Sequence, residues 1–212
     1  MLFFHFCKMQ NIENIIFDLG GVILNLDNRR TEDAFVAMGA KNFGENFGHG
    51  FAVSFFRDYE IGSISDQQFL ADLKKLINSP VPDETVVKAW NALLLDFPPA
   101  RIRLLQELRN RYRLFLFSNT NALHLAALKK IYTESFGKGS LDDHFEKTYY
   151  SHLIGLRKPD LASYKYIIDQ NKIQPEKTLF VDDALVNIKG AIAAGLQGFY
   201  LKPGMDLINI PF

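Results

Sequence analysis

Short apolar runs recur along the chain, and longer segments with a different spacing of apolar residues lie between them. The runs fall at residues 14–17, 114–117, 147–150, 178–181 and 198–201. Apolar runs of this length are typical of buried β-strands. The run at 147–150 is the least hydrophobic, but it contains Thr148, Tyr149 and Tyr150, residue types that favour strands.

The segments between the later runs have apolar residues three and four positions apart, which is the spacing of one helix face. We predict these helices at residues 101–111, 123–135, 161–170 and 185–194. Asn121 is a suitable N-cap for the second of them, and Gly195 is a suitable end for the last. Strands that alternate with helices predict a Rossmann-like α/β fold, a doubly wound parallel sheet covered by helices on both faces.

The stretch between the first two runs breaks this alternation. It has helical patterns at 31–38, 66–77 and 85–95 and no convincing strand. We therefore predict a helical cap subdomain at residues 27–98, inserted after the first strand of a core formed by 11–26 and 99–212. Open α/β sheets bind ligands at the carboxyl ends of their strands, so this insertion is placed to act as a lid.

Composition excludes several classes of partner. Lys plus Arg equals Asp plus Glu, 24 against 24, so the chain has no overall positive field to hold nucleic acid or an anionic membrane.

Residues 1–10 are apolar but too short to span a bilayer, and we expect them to form a flexible tail. The single cysteine, Cys7, excludes an intramolecular disulfide, and we expect a cytoplasmic protein, monomeric or homodimeric.

Polar side chains follow the predicted strands, at the point where each strand ends. Asp18 follows the first run and Ser118 the second, Lys158 comes a few residues after the third, and Asp182 and Asp183 follow the fourth. Because parallel strands all end on the same edge of a sheet, these side chains are expected to converge on one crevice.

The residue types at this edge point to an anionic substrate and a metal. Carboxylates that share a crevice repel one another, and a hard cation with oxygen ligands neutralises them; Mg²⁺ is the usual choice beside phosphate. Lys158 supplies a fixed positive charge. Ser118 and the N–H groups that open the following helix are suited to binding anionic oxygens.

Four segments resemble, in order and spacing, the four motifs of the haloacid dehalogenase superfamily of hydrolases: Phe17-Asp18-Leu19-Gly20-Gly21-Val22, Ser118-Asn119-Thr120, Arg157-Lys158-Pro159, and Val181-Asp182-Asp183 with Asn187. The resemblance extends from Asn14 to about Leu201. The Asp-Leu-Gly sequence, with Tyr59-Glu60-Ile61-Gly62 and Trp90 in the insertion, is most similar to the branch that contains bacterial sugar-1-phosphate phosphatases and the N-terminal phosphatase domain of soluble epoxide hydrolases.

The resemblance implies a role for each matching residue. Asp18 would be the nucleophile that forms an aspartyl-phosphate. Lys158 would bridge Asp18 and the phosphate, and Ser118 and Asn119 would hold the phosphoryl oxygens. Mg²⁺ would be bound by Asp18, the carbonyl of Gly20 and Asp182, and by Asp183 directly or through water. Asn187 would orient the carboxylates or a metal-bound water.

One position departs from the superfamily pattern. Its phosphatases usually carry a second Asp two residues after the nucleophile, as general acid and base, and Gly20 stands there instead. General acid–base help is typically worth about 100- to 10,000-fold in rate. Asp27 is the nearest later acid, and a cap residue or an ordered water is an alternative proton source.

The sequence therefore predicts a Mg²⁺-dependent phosphatase that hydrolyses a small phosphorylated metabolite, a sugar phosphate or similar. The alternatives are a metal-independent 2-haloacid dehalogenase, a phosphonate hydrolase with Lys41 as a Schiff-base lysine, and a catalytically weak phosphate-binding regulatory module. The Asp182-Asp183 pair argues against the dehalogenase, since it would repel a carboxylate substrate unless a cation were present. The physiological substrate and the replacement for the missing acid stay open.

Overall fold

The computed structural model describes residues 11–40, 43, 54–77 and 80–212. Within these residues, a parallel sheet has the order β3-β2-β1-β4-β5. Its strands are β1 (Asn14–Phe17), β2 (Arg113–Ser118), β3 (Lys147–Tyr150), β4 (Thr178–Asp182) and β5 (Gln197–Tyr200). This confirms the predicted α/β fold. The expected tail at 1–10 and Lys41 lie outside the described residues.

The helices fall into two groups. Those between β1 and β2 are α1 (Asn28–Ala37), α2 (Ser54–Glu60), α3 (Asp66–Ile77) and α4 (Asp83–Trp90), which precede the helix packed on the sheet, α5 (Pro99–Leu108). Those after β2 are α6 (Ala122–Phe136), α7 (Ser151–Ile154), α8 (Leu161–Asn171) and α9 (Leu185–Ala193).

Both faces of the sheet are buried, as β1 illustrates. Ile15 and Phe17 belong to one apolar core, with residues of α5 and α6, and Ile16 belongs to another, with residues of α8 and α9. All three side chains are at most 1% exposed. Alternation of side chains along a strand produces these two cores, so the continuous apolar run is explained by burial on both sides.

The helices α1–α4 build a separate core above the sheet. Phe35, Phe69 and Leu73 are fully buried in it, and Trp90 is 3% exposed. Tyr59 stacks on Phe69 with ring centroids 3.9 Å apart. The abundance of aromatic residues in this segment therefore serves largely to pack the insertion.

Two short connections join the insertion to the sheet, and they pair with each other. Leu26 and Leu94 form an antiparallel bridge, and the N–H of Asp27 donates to the carbonyl of Leu93 at 2.9 Å. The N–H of Asn25 donates to the carbonyl of Asp96 at 2.9 Å. These paired connections lie close to the predicted cap boundaries, which stay a prediction.

One helix ends earlier than its periodicity predicts. The pattern at 85–95 indicates a single helix, but α4 ends at Trp90 and a 3₁₀ turn follows at Asn91–Leu93. The buried hydroxyl of Thr31 donates to the Trp90 carbonyl at 3.2 Å and accepts from the Leu93 N–H at 3.1 Å. This side chain takes up backbone groups that a continued helix would use. Among the described helices, none has the length and apolarity needed to cross a membrane.

The packing of α5 on the sheet predicts a large cost for Leu105→Ala. Leu105 is fully buried in the same core as β1, and its replacement leaves a cavity. We expect a loss of about 2–5 kcal/mol in the free energy of unfolding. Gln106→Ala, at the neighbouring exposed position, is the control and should change it by less than about 0.5 kcal/mol. Urea denaturation measures both; equal effects would contradict the assigned packing.

Candidate active site

The predicted site residues meet at the carboxyl edge of the sheet. Asp18 follows β1 directly, and its N–H still donates to the carbonyl of Val181 on β4 at 2.9 Å. Ser118 is the last residue of β2, and Asp182 is the last residue of β4. Asp18 is 8% exposed and Asp182 fully buried, so each carboxylate depends on neighbouring groups for its solvation.

A tight turn after Asp18 brings the chain back to the site. The carbonyl of Leu19 accepts from the N–H groups of Ile23 and Leu24, both at 2.9 Å. Gly21 has φ +72°, and a Cβ at this position would overlap the carboxylate of Asp183. Glycine is therefore required at 21 both for the backbone conformation and for the close approach of Asp183.

Lys158 is the central cation of the site. Its Nζ lies 2.6 Å from Asp18 Oδ1 and 2.8 Å from Asp182 Oδ2, and its side chain is 1% exposed. Burial lowers the pKa of Lys158, but the two carboxylates together outweigh burial and hold it above the ordinary value. The ammonium group is thus a permanent positive charge between two carboxylates.

The oxygens of Asp182 have further donors. Oδ1 accepts from the Ala184 N–H at 2.7 Å, and the Asn187 side-chain amide is 3.1 Å from each oxygen. With Lys158 on Oδ2, this carboxylate is fixed in orientation. A fixed, fully buried carboxylate is suited to act as a ligand rather than as a mobile base.

Asp18 is less well compensated. Burial, followed by the charges of Asp182 and Asp183, raises the pKa of Asp18 to about 7 although Lys158 lowers it. A carboxylate in this state needs additional positive charge to be fully ionised at neutral pH.

A divalent cation fits this need. Asp18, Asp182 and Asp183 each offer an oxygen such that the three atoms lie within 4.8 Å of one another. An all-carboxylate donor set suits hard cations such as Mg²⁺. The residues present are therefore able to hold the metal that the sequence predicts.

Asn119 supports Lys158 through the backbone. Its Nδ2 donates to the Lys158 carbonyl, and its Oδ1 accepts from the Lys158 N–H, both at 2.9 Å. The Lys158–Pro159 peptide bond is cis. Both polar atoms of this side chain are therefore engaged within the protein.

A cleft of about 690 Å³ leads from this edge to the insertion. Its wall includes Phe56 and Trp90, whereas Tyr59 points elsewhere: its hydroxyl donates to Asp66 at 2.7 Å and accepts from the Leu123 N–H at 3.2 Å. Glu60 also lines the cleft and pairs with Arg157, Oε2 to Nε at 2.6 Å, across the seam between α2 and the sheet. Burial raises the pKa of Glu60 despite this guanidinium.

His124 was not predicted to belong to the site. Its ring stacks on Trp90 at 4.8 Å between centroids, its Nε2 lies 3.1 Å from the Trp90 carbonyl, and Nδ1 lies 3.0 Å from Asn121 Nδ2. Burial lowers the pKa of His124 to about 4, so the ring is neutral at physiological pH. Asn121 caps α6 as predicted, accepting from the His124 N–H at 3.0 Å. The contact that brings His124 to the cleft is with Trp90, which is distant in sequence. The spacing of residues along the chain therefore could not predict its place in the site.

The structure shows the surroundings of Gly20, where the general acid is missing, and of Asp27, the nearest later acid. A Cβ at Gly20 would meet Leu26 Cδ1 at 2.5 Å, so a side chain fits only if Leu26 moves. Asp27 caps α1, accepting from the Arg29 N–H at 3.1 Å, and pairs with Arg30 at 3.5 Å. Its geometry is that of a helix cap.

The parallel α/β fold carries three carboxylates and a buried lysine at its carboxyl edge, which is where α/β enzymes bind their ligands. The chain belongs to the haloacid dehalogenase-like hydrolase family, whose sequence profile matches residues 12–195.

Individual relatives agree with this assignment. The chain is 29% identical over 195 residues to the D-ribitol-5-phosphate phosphatase of Bacteroides thetaiotaomicron, covering 92% of this chain and 94% of that one. A solved wild-type enzyme of the family from the same organism, complexed with magnesium and inorganic phosphate, is 33% identical with a TM-score of 0.82, covering 92% and 96%. A predicted family hydrolase from Porphyromonas gingivalis is 31% identical with a TM-score of 0.82, covering 92% and 93%.

The carboxylate cluster predicts that bound Mg²⁺ stabilises the folded protein against unfolding. A ligand that binds only the folded state adds about 2.7 kcal/mol at a concentration of 100 times its Kd. We expect Mg²⁺ to raise the melting temperature, and Asp183→Asn to shift this effect to higher Mg²⁺ concentration because one ligand charge is lost. Asp169→Asn, on exposed α8 surface, is the control. Differential scanning fluorimetry measures the shift; an identical Mg²⁺ response in all three proteins would contradict this site.

Proposed function

We propose that the protein is a Mg²⁺-dependent phosphatase that hydrolyses a small phosphorylated metabolite through an aspartyl-phosphate on Asp18. The observation that carries this proposal is the placement of Lys158 between Asp18 and Asp182, with Asp183 completing a cation site beside them. Likeness to a D-ribitol-5-phosphate phosphatase and to an enzyme complexed with magnesium and phosphate supports the same chemistry.

In the proposed reaction, a carboxylate oxygen of Asp18 attacks phosphorus. A bond forms from Asp18 to phosphorus as the bond from phosphorus to the leaving oxygen breaks, and the leaving group departs with that electron pair. A water molecule then attacks the phosphorus of the aspartyl-phosphate and gives up a proton to solvent, from which the leaving group takes one. The bond from phosphorus to Asp18 breaks, which releases inorganic phosphate and restores the Asp18 carboxylate. A single displacement by water is thereby replaced by two easier steps.

The neighbouring groups stabilise charge on the phosphoryl oxygens. Lys158 is held within 2.6 Å of Asp18, so it can contact both the nucleophile and the bound phosphate. Ser118 and the backbone N–H of Asn119 are assigned to the remaining oxygens, while the Asn119 side chain positions Lys158. Preorganised donors of this kind act most strongly in a buried site.

Asp18, the carbonyl of Gly20, Asp182 and Asp183 are proposed to hold Mg²⁺, with Asn187 orienting Asp182. When bound, the cation neutralises the carboxylates and the phosphate, which allows two anions to approach each other. This explains why Asp18, whose pKa is raised, serves as a nucleophile at neutral pH.

The insertion at residues 27–98 is proposed as a cap that covers the substrate, with 11–26 and 99–212 as the catalytic core. Contacts between Glu60 and Arg157 and between Trp90 and His124 join the insertion to the core beside the cleft and support this role. The single cysteine supports a cytoplasmic location. The carboxylate cluster disfavours the metal-independent dehalogenase, because an anionic substrate would meet uncompensated negative charge.

Replacing Asp18 with Asn tests the covalent mechanism. The amide keeps the shape but is not nucleophilic, so turnover of p-nitrophenyl phosphate should fall by several orders of magnitude while the melting temperature is maintained or rises, since a poorly compensated buried charge is removed. Asp169→Asn is the control for the loss of one carboxylate. Substantial phosphatase activity in Asp18→Asn would exclude Asp18 as the nucleophile.

The glycine at position 20 predicts that kcat/KM depends strongly on the pKa of the leaving group. With no carboxylic proton nearby, kcat/KM should rise as the leaving-group pKa falls, and aryl phosphates should turn over faster than alkyl phosphates. A series of matched phosphates measures the slope. A flat dependence would show that another residue donates the proton.

The same prediction can be tested by restoring the acid. Gly20→Asp alone forces Leu26 aside, so the Gly20→Asp, Leu26→Ala double variant is the better design. It should turn over alkyl phosphates faster than the matched Gly20→Ala, Leu26→Ala variant, which has the same space but no acid. Equal rates in the two double variants would contradict the assignment of position 20.

A further inference from the structure

The leaving group of the substrate must lie against the wall that the insertion contributes to the cleft. The core edge is occupied by Asp18 and Lys158, which the proposed function assigns to the phosphoryl group. The insertion's part of the cleft wall is formed by residues of α1, α2 and α4, including Asn28, Glu32, Phe56, Glu60 and Trp90.

Other polar groups that line the cleft, such as Glu60 and His124, already have partners within the protein. Glu60 is bonded to Arg157 at 2.6 Å, with side chains 14% and 18% exposed. His124 contacts the Trp90 carbonyl and Asn121. These groups shape the cleft, but their hydrogen-bonding capacity is largely used.

Asn28 and Glu32 differ from them. Both line the cleft, and no hydrogen bond or ion pair joins either side chain to any other described residue. They are four positions apart on α1, so they lie on one face of the helix, about one turn from each other. An amide and a carboxylate so placed offer several acceptors and a donor to a ligand.

The charge balance of the cleft defines what that ligand is. The charged side chains that line it are Asp18, Glu32, Glu60, Arg157, Lys158 and Asp183. Arg157 is ion-paired with Glu60 and Lys158 with Asp18, while Asp183 belongs to the cation site. Glu32 therefore presents negative charge to the substrate without a paired cation among the described residues.

We infer that Asn28 and Glu32 form a specificity-determining pair that accepts a neutral, hydroxylated leaving group and rejects one with a second anionic group. A carboxylate accepts hydrogen bonds from hydroxyl groups, whereas it repels a second phosphate or a carboxylate. The rings of Phe56 and Trp90 supply apolar surface for the carbon chain. This inference rests on the proposed function and narrows its substrate to phosphate monoesters of polyols and neutral sugars.

Two ligands of the same length test the inference. Ribitol 5-phosphate and 5-phosphoribonate differ only in a terminal CH₂OH or carboxylate. The native protein should show a higher kcat/KM for the alditol, and Glu32→Gln should lower the ratio of the two values by about tenfold, mainly by lowering KM for the anionic ligand. Asp33→Asn, the neighbouring exposed position outside the cleft wall, is the control and should leave the ratio unchanged.

If the ratio of the two kcat/KM values in Glu32→Gln stays within about twofold of the native ratio, the inference is overturned. The expected change is about tenfold, which corresponds to about 1.4 kcal/mol. Thermal melts of each variant separate a folding defect from a change in selectivity. Failure of the native protein to hydrolyse any phosphate monoester would instead overturn the proposed function. In that event, calorimetric binding of the two ligands to Asp18→Asn protein with Mg²⁺, with and without Glu32→Gln, decides the inference by the same ratio.

Discussion

The buried ammonium group of Lys158 is the interaction on which the site depends. It is within 2.8 Å of both Asp18 and Asp182, and without it the carboxylates of two adjacent strands would face each other in a nearly dry environment. Removing the ammonium group would leave two buried carboxylates uncompensated, which is strongly destabilising. The ion pairs to which we assign the chemistry therefore also stabilise this edge of the sheet.

This arrangement requires precise support from the surrounding loops. Asn119 clamps the backbone of Lys158 from both sides, and Asn187 and the Ala184 N–H hold Asp182. Gly21 leaves space into which Asp183 fits. Each support comes from a different strand end, so the parallel sheet is the element that brings them into register.

Sequence patterns predicted the sheet and the location of the reactive groups because both follow from local rules. A short apolar run buried on two faces, such as Ile15-Ile16-Phe17 in β1, indicates a central strand, and the residue that follows it lies at the carboxyl edge of the sheet. The engagement of the Asn119 side chain, the Glu60–Arg157 pair and the place of His124 depend on contacts between distant segments. The early end of α4 was not predicted for the same reason. The periodicity of 85–95 contains no information about the hydroxyl of Thr31, which lies 59 residues away from Trp90 in sequence.

The polar groups of the core and those of the insertion differ in how fully they are bonded to other groups of the protein. In the core, Lys158 and Asp182 are buried and held in place by several partners, as electrostatic preorganisation requires. On the insertion, Asn28 and Glu32 keep hydrogen-bonding capacity for a ligand. Since α1 packs in its own aromatic core, residues on its cleft-facing side can change without disturbing the buried ion pairs. Substrate choice is thereby separated physically from phosphoryl chemistry, which allows one catalytic edge to serve different leaving groups.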